Sequence, residues 1–186
     1  MKELLHVGCS HATLKDVHHI PEGERINWRE YRLDVDASVQ PDYVCSMLEM
    51  YCVPPDKFDM VYASHALEHV KSHEVVPTLH GFMRVLKSSG ATVVAVPDLD
   101  QVAKHIVEKG FYTPCYMIGD QLETPIFPID ILYGWTICTE SGNDWMQHKT
   151  GFTEESLRAA FEVAGYVNIT THKDDCFTIF GIGQKG

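Results

Sequence analysis

Short apolar segments that alternate with helix-like segments are the feature that most constrains the fold of this chain. The segments "LLHV", "YRLDV", "FDMVYA" and "TVVAV" are rich in β-branched and aromatic residues, and a glycine, aspartate, serine or proline follows each of them. Segments of this length and composition predict buried strands. The segment "PDYVCSMLEM", between the second and third of them, predicts one further short strand, so that five strands follow one another along the chain. The segment "VVPTLHGFMRVLK", between the fourth and fifth of these five strands, has the 3.6-residue period of a helix. This alternation predicts an α/β fold in which helices cover both faces of a mostly parallel sheet.

Residues with capping roles mark the ends of the predicted helices. Lys87 and Gly90 predict the end of the helix that carries "VVPTLHGFMRVLK". The segment "DLDQVAKHIVEKG" predicts an amphipathic helix that starts at Asp98 or Asp100 and ends at Gly110. These short helices, each placed next to a strand, are typical of strand–helix–strand units.

Residues 110–149 interrupt the alternation. Aromatic residues, prolines and isoleucines are concentrated in "FYTPCYMIGDQLETPIFPIDILYGW", which we interpret as an insertion with little regular structure. Because the insertion follows the fifth predicted strand, we expect it to form a lid or a substrate-binding element near the carboxyl ends of the strands. After it, Thr153 and Gly165 predict the start and end of another helix, and "VNITTHK" and "CFTIFGIGQK" predict two strands. We expect residues 1–186 to form a single domain.

Charge and cysteine content exclude several classes of protein. The formal net charge is −11, from 15 basic and 26 acidic residues, so nucleic acid is not an expected partner. The six cysteines contain no C-x-x-C pair, and we expect reduced thiols without a disulfide framework. The apolar run near the amino terminus is too short for a signal peptide or a membrane span. We therefore expect a cytoplasmic protein with no membrane partner.

Residues suited to a nucleotide-like ligand follow the predicted strands. Ligands of parallel α/β sheets bind at the carboxyl ends of the strands, and a glycine there lets the backbone approach a ligand closely. An acidic residue after the second strand can accept hydrogen bonds from ribose hydroxyls; Asp34 is the best candidate and Asp36 the second. The candidate residues after the first, third and fourth strands are Gly8, Cys9 and Ser10, then Ser46, Met47 and Leu48, then Ala63, Ser64 and His65.

With these residues in order, the sequence resembles the small class I S-adenosylmethionine-dependent methyltransferases of the methyltransferase-11 type. The matching stretches include "LLHVGCS", "YRLDVD", "FDMVYASHALEHV" and "HGFMRVLKSSGATVVAVPD", and they cover most of the chain outside residues 110–147. The resemblance implies a Rossmann-like fold with a mostly parallel seven-stranded sheet and S-adenosylmethionine as cofactor. It places Gly8, Cys9 and Ser10 beside the methionine part, Asp34 at the ribose, Ser46, Met47 and Leu48 at the adenine, and Ala63 and Ser64 where cofactor and substrate meet.

The resemblance also implies the reaction, which is O- or N-methylation of a small-molecule acceptor. The Asn/Asp-Pro-Pro-aromatic turn of many DNA methyltransferases is replaced here by "ASHA", which favours a small molecule over DNA. His65 and His148 are the candidate bases, because histidine titrates near neutral pH, and His11 is a weaker candidate.

The sequence departs from the family pattern at two positions. Ser10 stands where the family usually has a second glycine, and Ser46 stands where an acidic residue is common. The chain also begins at its first predicted strand, whereas many relatives carry helices before it that cover the site. We expect either an open site or one covered by the insertion or by a second subunit in a homodimer. A methyltransferase-fold protein that acts only as a binding or partner subunit is the main alternative.

The stretch "SHALEHV", residues 64–70, raises a second alternative. His65, Glu68 and His69 are spaced as in the H-x-x-E-H signature of inverted zinc peptidases. In those enzymes two histidines one helical turn apart bind the metal within a long helix. Here His65 directly follows a predicted strand, so we expect no metal site and consider a zinc hydrolase the less favoured interpretation.

Overall fold

A seven-stranded sheet forms the centre of the computed structural model, which describes residues 1–119 and 124–186. The strands along the chain are β1 (Lys2–Val7), β2 (Trp28–Asp34), β3 (Tyr43–Val44), β4 (Phe58–Ser64), β5 (Leu86–Pro97), β6 (Tyr116–Ile118), β7 (Thr124–Ile126), β8 (Val167–Lys173) and β9 (Thr178–Gln184). Strands β6 and β7 form a separate hairpin, and the remaining strands form the sheet in the order β3-β2-β1-β4-β5-β9-β8.

The pairing of the strands is mostly parallel. Strands β1 to β5 run parallel, and β9 is antiparallel to both of its neighbours. Leu5 of β1 pairs with Tyr31 on one side and Val61 on the other. The order of connection therefore reverses between β1 and β4, and the predicted α/β sheet with its switch point is confirmed.

The α-helices are α1 (Val75–Val85), α2 (Leu99–Lys109), α3 (Pro128–Tyr133), α4 (Thr136–Glu140) and α5 (Glu154–Val163). Short 3₁₀ helices span Leu14–Asp16, Glu22–Asn27, Ala37–Val39, Leu67–His69, Ser72–Glu74 and Asp144–Met146. Of the helices in the described part of the chain, none combines the length and the apolar character that a membrane crossing requires.

The two faces of the sheet are covered differently. On one face, Leu79 and Phe82 of α1 and Phe161 of α5 pack against apolar strand residues. The buried residues of each helix recur at every third or fourth position, as in an amphipathic helix. On the other face Val17 and Ile20, which lie between two 3₁₀ helices, pack against strand residues such as Tyr62. The first face is thus covered by α1 and α5, and the second by the segment that contains the 3₁₀ helices Leu14–Asp16 and Glu22–Asn27.

The predicted end of the helix after β4 is wrong by several residues. Helix α1 ends at Val85, because Leu86 is already extended, with φ −73° and ψ 141°. Residues 87–90 form a bulge within β5, where the pairing with β4 shifts between Phe58 and Met60. The residues "KSSG", which are typical of a turn, thus form a bulge. Within it, Lys87 forms an ion pair with Asp59 at 2.8 Å.

The interpretation of the insertion as largely irregular is also wrong. Residues 110–149 contain the β6–β7 hairpin, α3 and α4, although residues 120–123 lie outside the described part. The insertion packs on α2 through a separate apolar cluster around Val102, Ile126 and Ile131. Asp130 accepts a hydrogen bond from the backbone of Phe127 at 2.9 Å and so stabilises the first turn of α3.

Candidate active site

A cavity of about 460 Å³ opens at the carboxyl ends of β1 to β4, beside the switch point of the sheet. Most of the residues proposed for the cofactor line it: Gly8, Cys9, Ser10, Asp34, Ser46, Met47, Leu48 and Ser64. Ala63, near the end of β4, does not line the cavity, because its side chain is fully buried in the core. His11, the weaker candidate base, is exposed and lines neither this cavity nor the second one described below.

Gly8 brings two loops of the cavity into direct contact. Its φ is +62°, and a Cβ at this position would lie 2.7 Å from the Cβ of Ala66, in the loop after β4. Its backbone N–H donates to the carbonyl of Leu33 at 2.8 Å. The position therefore excludes a side chain on two grounds, backbone conformation and space.

Ser10 adopts the left-handed conformation that the family's second glycine would favour, with φ +46°. Its backbone N–H donates to Oδ2 of Asp34 at 2.8 Å, and the guanidinium of Arg32 donates to its carbonyl. Arg32 also donates to the carbonyl of Val39 at 3.2 Å. The loop therefore keeps its shape without the second glycine, and Arg32 is a residue that the sequence analysis missed.

The carboxylate of Asp34 holds the loop and retains acceptor capacity. Oδ1 accepts the backbone N–H of Asp36 at 3.0 Å, and Oδ2 accepts that of Ser10. The thiol of Cys9 lies 3.9 Å from Oδ2, and burial raises the pKa of this thiol to about 11, so it stays protonated at neutral pH. Two carboxylate oxygens offer about four acceptor positions, which leaves room for a ligand hydroxyl. The carboxylate of Asp36 instead accepts the N–H of Ser38 at 2.8 Å.

The loop after β3 forms the next wall of the cavity. Met47 is half-buried there, and the hydroxyl of Ser46 accepts the backbone N–H of Leu48 at 3.2 Å. The sulfur atoms of Cys45, which also lines the cavity, and Cys52 lie in contact.

A second cavity, of about 190 Å³, adjoins the first one and is formed mainly by the insertion. Its lining is largely apolar and aromatic: Pro97, Tyr116, Ile118, Ile126, Ile131, Trp135 and Phe177. His65, His69 and Met146 border both cavities. The insertion and the loop after β4 thus line a compartment that lies directly beside the first cavity.

Three histidines surround one carboxylate where the cavities meet. Glu68 is fully buried, the Nδ1 atom of His65 lies 3.5 Å from its Oε1, and the Nε2 atom of His148 lies 3.9 Å from the same oxygen. The rings of His69 and His148 are in edge contact, with 5.0 Å between centroids. His65 follows β4 in the left-handed conformation, with φ +48°, and is half exposed.

The structure therefore brings the two candidate bases, His65 and His148, to one place. The sequence analysis did not count Glu68 and His69 among the site residues, although the H-x-x-E-H spacing was the signal that pointed to them. The Leu67–His69 segment is a single 3₁₀ turn, so the spacing does not lie within the long helix of a zinc peptidase.

Burial and mutual charge shift the titration of this cluster. Burial acts to raise the pKa of Glu68, but the adjacent His65, with His69 and His148, outweighs burial and lowers it. Burial acts to lower the pKa of His65, and contact with Glu68 outweighs it and raises the pKa. The pKa of His148 is lowered, because burial of its ring outweighs the charge of Glu68.

Residues 18–94 match the family model described as a methyltransferase domain. These residues include β2, β3, β4 and the loops after them, which form part of the lining of the first cavity. The match spans less than half of the chain and shows that this part is similar to a methyltransferase domain. It agrees with the family that the sequence resembles.

Solved structures of similar fold have low sequence identity to this chain. CurJ carbon methyltransferase superposes with a TM-score of 0.60 at 12% identity, over 100% of this chain and 48% of its own. A SAM-dependent methyltransferase from Archaeoglobus fulgidus gives a TM-score of 0.57 at 12% identity, over 99% of this chain and 86% of its own. The Burkholderia thailandensis 1,6-didemethyltoxoflavin-N1-methyltransferase gives a TM-score of 0.55 at 12% identity, over 99% of this chain and 71% of its own.

At these identities the likeness shows the fold alone, and the chain spans about half the length of CurJ methyltransferase. A search of curated proteins found no sequence match.

Proposed function

We propose that this chain is an S-adenosylmethionine-dependent methyltransferase that acts on a small-molecule acceptor by O- or N-methylation. The observation that carries the proposal is the pair of adjacent cavities that share His65 in their linings. The first is lined by the glycine loop and Asp34, and the second is lined by apolar residues of the insertion. A cofactor and an acceptor held in these two cavities would meet at the end of β4.

The residues of the first cavity fit the cofactor. Its volume of about 460 Å³ lies within the range of roughly 300–1,000 Å³ that is typical of ligand sites. Gly8 to Ser10 would lie along the methionine part, Asp34 would accept from the ribose hydroxyls, and Met47 would contact the adenine. The bound cofactor supplies an electrophilic methyl group on a sulfonium, and the protein's contribution is to orient the acceptor and to remove its proton.

The second cavity supports an acceptor site of mainly apolar character. We propose that residues 110–149 act as its lid and wall, because Ile131, Trp135 and other residues of the insertion line the cavity. A neighbour of the same fold, the Burkholderia thailandensis enzyme, was solved with 1,6-didemethyltoxoflavin and S-adenosylhomocysteine bound. His65 and His148 are the proposed bases, since both rings border this cavity and adjoin Glu68.

Substitution of Asp34 by alanine should lower the affinity for S-adenosylhomocysteine by about 10–100-fold, which corresponds to loss of one or two hydrogen bonds to a charged group. Calorimetric titration of the folded chain measures this. A 2′,3′-dideoxy analogue, which lacks the hydroxyls that Asp34 would hold, should lose less affinity in D34A than S-adenosylhomocysteine does. The loss that remains reports the hold of Asp34 on the loop of Ser10.

Asp36 provides the matched control, since its carboxylate accepts from Ser38 and caps a 3₁₀ turn. Asp36→Ala should change the affinity by less than about threefold. A larger loss for D36A than for D34A would move the ribose contact to Asp36. Absence of binding to the folded wild type would remove the cofactor proposal and favour a non-catalytic partner subunit.

The acceptor proposal predicts methyl transfer that depends on the second cavity. Incubation with methyl-labelled S-adenosylmethionine and a small-molecule extract should label a component of the extract. Trp135→Ala should lower kcat/KM for that acceptor by roughly 10–100-fold, which corresponds to the loss of one large apolar contact, and should leave the affinity for S-adenosylhomocysteine unchanged. Tyr112→Ala is the control, because Tyr112 is an exposed aromatic residue of the same insertion. It should leave kcat/KM for the acceptor unchanged.

Equal activity of W135A and the wild type would contradict the assignment of the second cavity to the acceptor. Cofactor binding without transfer to any component would favour the binding-subunit alternative. The expected homodimer and cytoplasmic location stay predictions.

A further inference from the structure

The carboxylate of Glu68 is fully buried, and neither of its oxygens receives a hydrogen bond from any of the described residues. Ring nitrogens of His65 and His148 face Oε1 from 3.5 and 3.9 Å, as ion-pair contacts that exceed normal hydrogen-bond length. A buried carboxylate whose oxygens receive no hydrogen bond is strongly unfavourable unless a cation offsets its charge more closely. The arrangement therefore points to a cation that binds between these side chains.

The hydrogen bonds of the neighbouring histidines define which of their nitrogens are free. Nδ1 of His69 lies 3.0 Å from the carbonyl of Gln147, and Nδ1 of His148 lies 2.8 Å from the carbonyl of Ile131. A carbonyl only accepts, so each Nδ1 carries the proton, and in the neutral ring each Nε2 is left with a lone pair. Backbone contacts of this kind orient the histidine ligands of metal sites.

We propose that Glu68, His69 and His148 bind a divalent cation. One ligand atom from each of the three lies within 4.8 Å of the other two, and about 3.3 Å is expected around a tetrahedral ion with bonds of about 2.0 Å. Two imidazoles and one carboxylate suit zinc, and similar transition metals, better than magnesium or calcium. Three protein ligands leave a coordination position open, as in catalytic zinc sites. This proposal departs from our expectation of no metal. It also leaves His65 as the base, because both ring nitrogens of His148 would then be engaged.

The backbone holds the three ligands together although they are distant in sequence. The N–H groups of Lys149 and Thr150 both donate to the carbonyl of Glu68, at 2.8 and 3.2 Å. These bonds place His148, at the end of the insertion, against the loop after β4. The fold thus holds the backbones of the three ligands close together, and the side chains would move inward by about 1 Å to bind an ion.

The location suggests a role in acceptor recognition, and this step rests on the proposed function. His69 borders both cavities and His148 borders the second, so the open coordination position would face the compartment proposed for the acceptor. A cation there would bind an acceptor oxygen and lower the pKa of its hydroxyl. His65, half exposed beside Glu68, is positioned to accept that proton. The acceptor class that fits is a small molecule with an ionisable hydroxyl group.

The test is calorimetric titration of the chelator-treated full chain with zinc chloride. We expect one equivalent to bind with micromolar or tighter affinity. Glu68→Gln, which preserves side-chain size, and His148→Ala should each weaken binding at least tenfold, with circular dichroism confirming the fold. His73→Ala is the matched control, because His73 is an exposed histidine that also lies 3.9 Å from a glutamate. It should not change the affinity.

Absence of stoichiometric zinc binding by the folded wild type would overturn the site. So would binding that E68Q and H148A leave unchanged. Parallel titration with S-adenosylhomocysteine separates this proposal from the proposed function, because the cofactor residues are distinct from the three ligands. Zinc binding at Glu68 without cofactor binding would retain the metal site and remove the methyltransferase activity. Methyl transfer that chelation does not reduce would overturn the role in acceptor recognition.

Discussion

Substitution of Gly8 by alanine is expected to lower the affinity for S-adenosylhomocysteine by about 100-fold or more. Alanine at φ +62° carries roughly 1–2 kcal/mol of backbone strain. Its Cβ would also lie 2.7 Å from that of Ala66, and overpacking of this kind costs about 1–3 kcal/mol. The loop can relieve the contact only by moving away from Ala66, which changes the cavity wall. A shift of about 2.7 kcal/mol in binding free energy corresponds to 100-fold.

Calorimetry with the folded variant measures this loss, and a thermal melt shows how much of the strain appears as lower stability. Gly23→Ala is the matched control, because no atom lies within 4 Å of the position of its Cβ. It should bind S-adenosylhomocysteine as the wild type does. An affinity of G8A within threefold of the wild type would show that the contact between the loops after β1 and β4 is not needed for the cofactor.

The sequence predicts the sheet and most of the first cavity because their signals are local. Gly8 and Asp34 each directly follow or end an apolar strand, and parallel strands present their carboxyl ends at one edge of the sheet. The positions of these residues along the chain therefore determine their positions in space. The same reasoning wrongly assigns Ala63 to the cavity. Side chains alternate between the two faces along β4, and that of Ala63 lies in the core.

The cluster at Glu68 is not predictable in the same way. The H-x-x-E-H spacing marks the segment, but its meaning depends on His148, which lies eighty residues later and reaches Glu68 through the fold of the insertion. Arg32 was missed for a similar reason, because its contact with Ser10 crosses from β2 to the loop after β1. Contacts of this kind depend on tertiary packing, which a single sequence does not show.

The insertion illustrates how apolar composition can hide regular structure. Its short elements are three to six residues long, too short for a hydrophobic period to be recognised. They are stabilised by packing around Val102 and by the buried Asp130, whose carboxylate accepts from the backbone of Phe127 and of Thr136. The lining of the second cavity is thus built from residues whose arrangement follows from burial against α2.

The largest loss of stability is expected for Asp98→Ala. Asp98 joins the end of β5 to the first turn of α2, where its carboxylate accepts the N–H of Asp100 at 3.0 Å. Its side chain is fully buried, and Nζ of Lys173 lies 3.0 Å from Oδ2. Loss of a helix cap costs about 1 kcal/mol, and loss of a hydrogen bond to a charged group costs about 1.5–3 kcal/mol, while Lys173 keeps Asp100 as a partner. We expect the free energy of unfolding to fall by about 2–4 kcal/mol.

Urea denaturation at neutral pH measures this change, and Asp100→Ala isolates its cause. The carboxylate of Asp100 also lies 3.0 Å from Nζ of Lys173, but it is 59% exposed, and exposed ion pairs contribute about 1 kcal/mol or less. Equal effects of D98A and D100A would show that Lys173 stabilises the fold from the surface. A large effect of D98A alone would show that one buried carboxylate couples β5, α2 and β8, and so holds Pro97 and the wall of the second cavity in place.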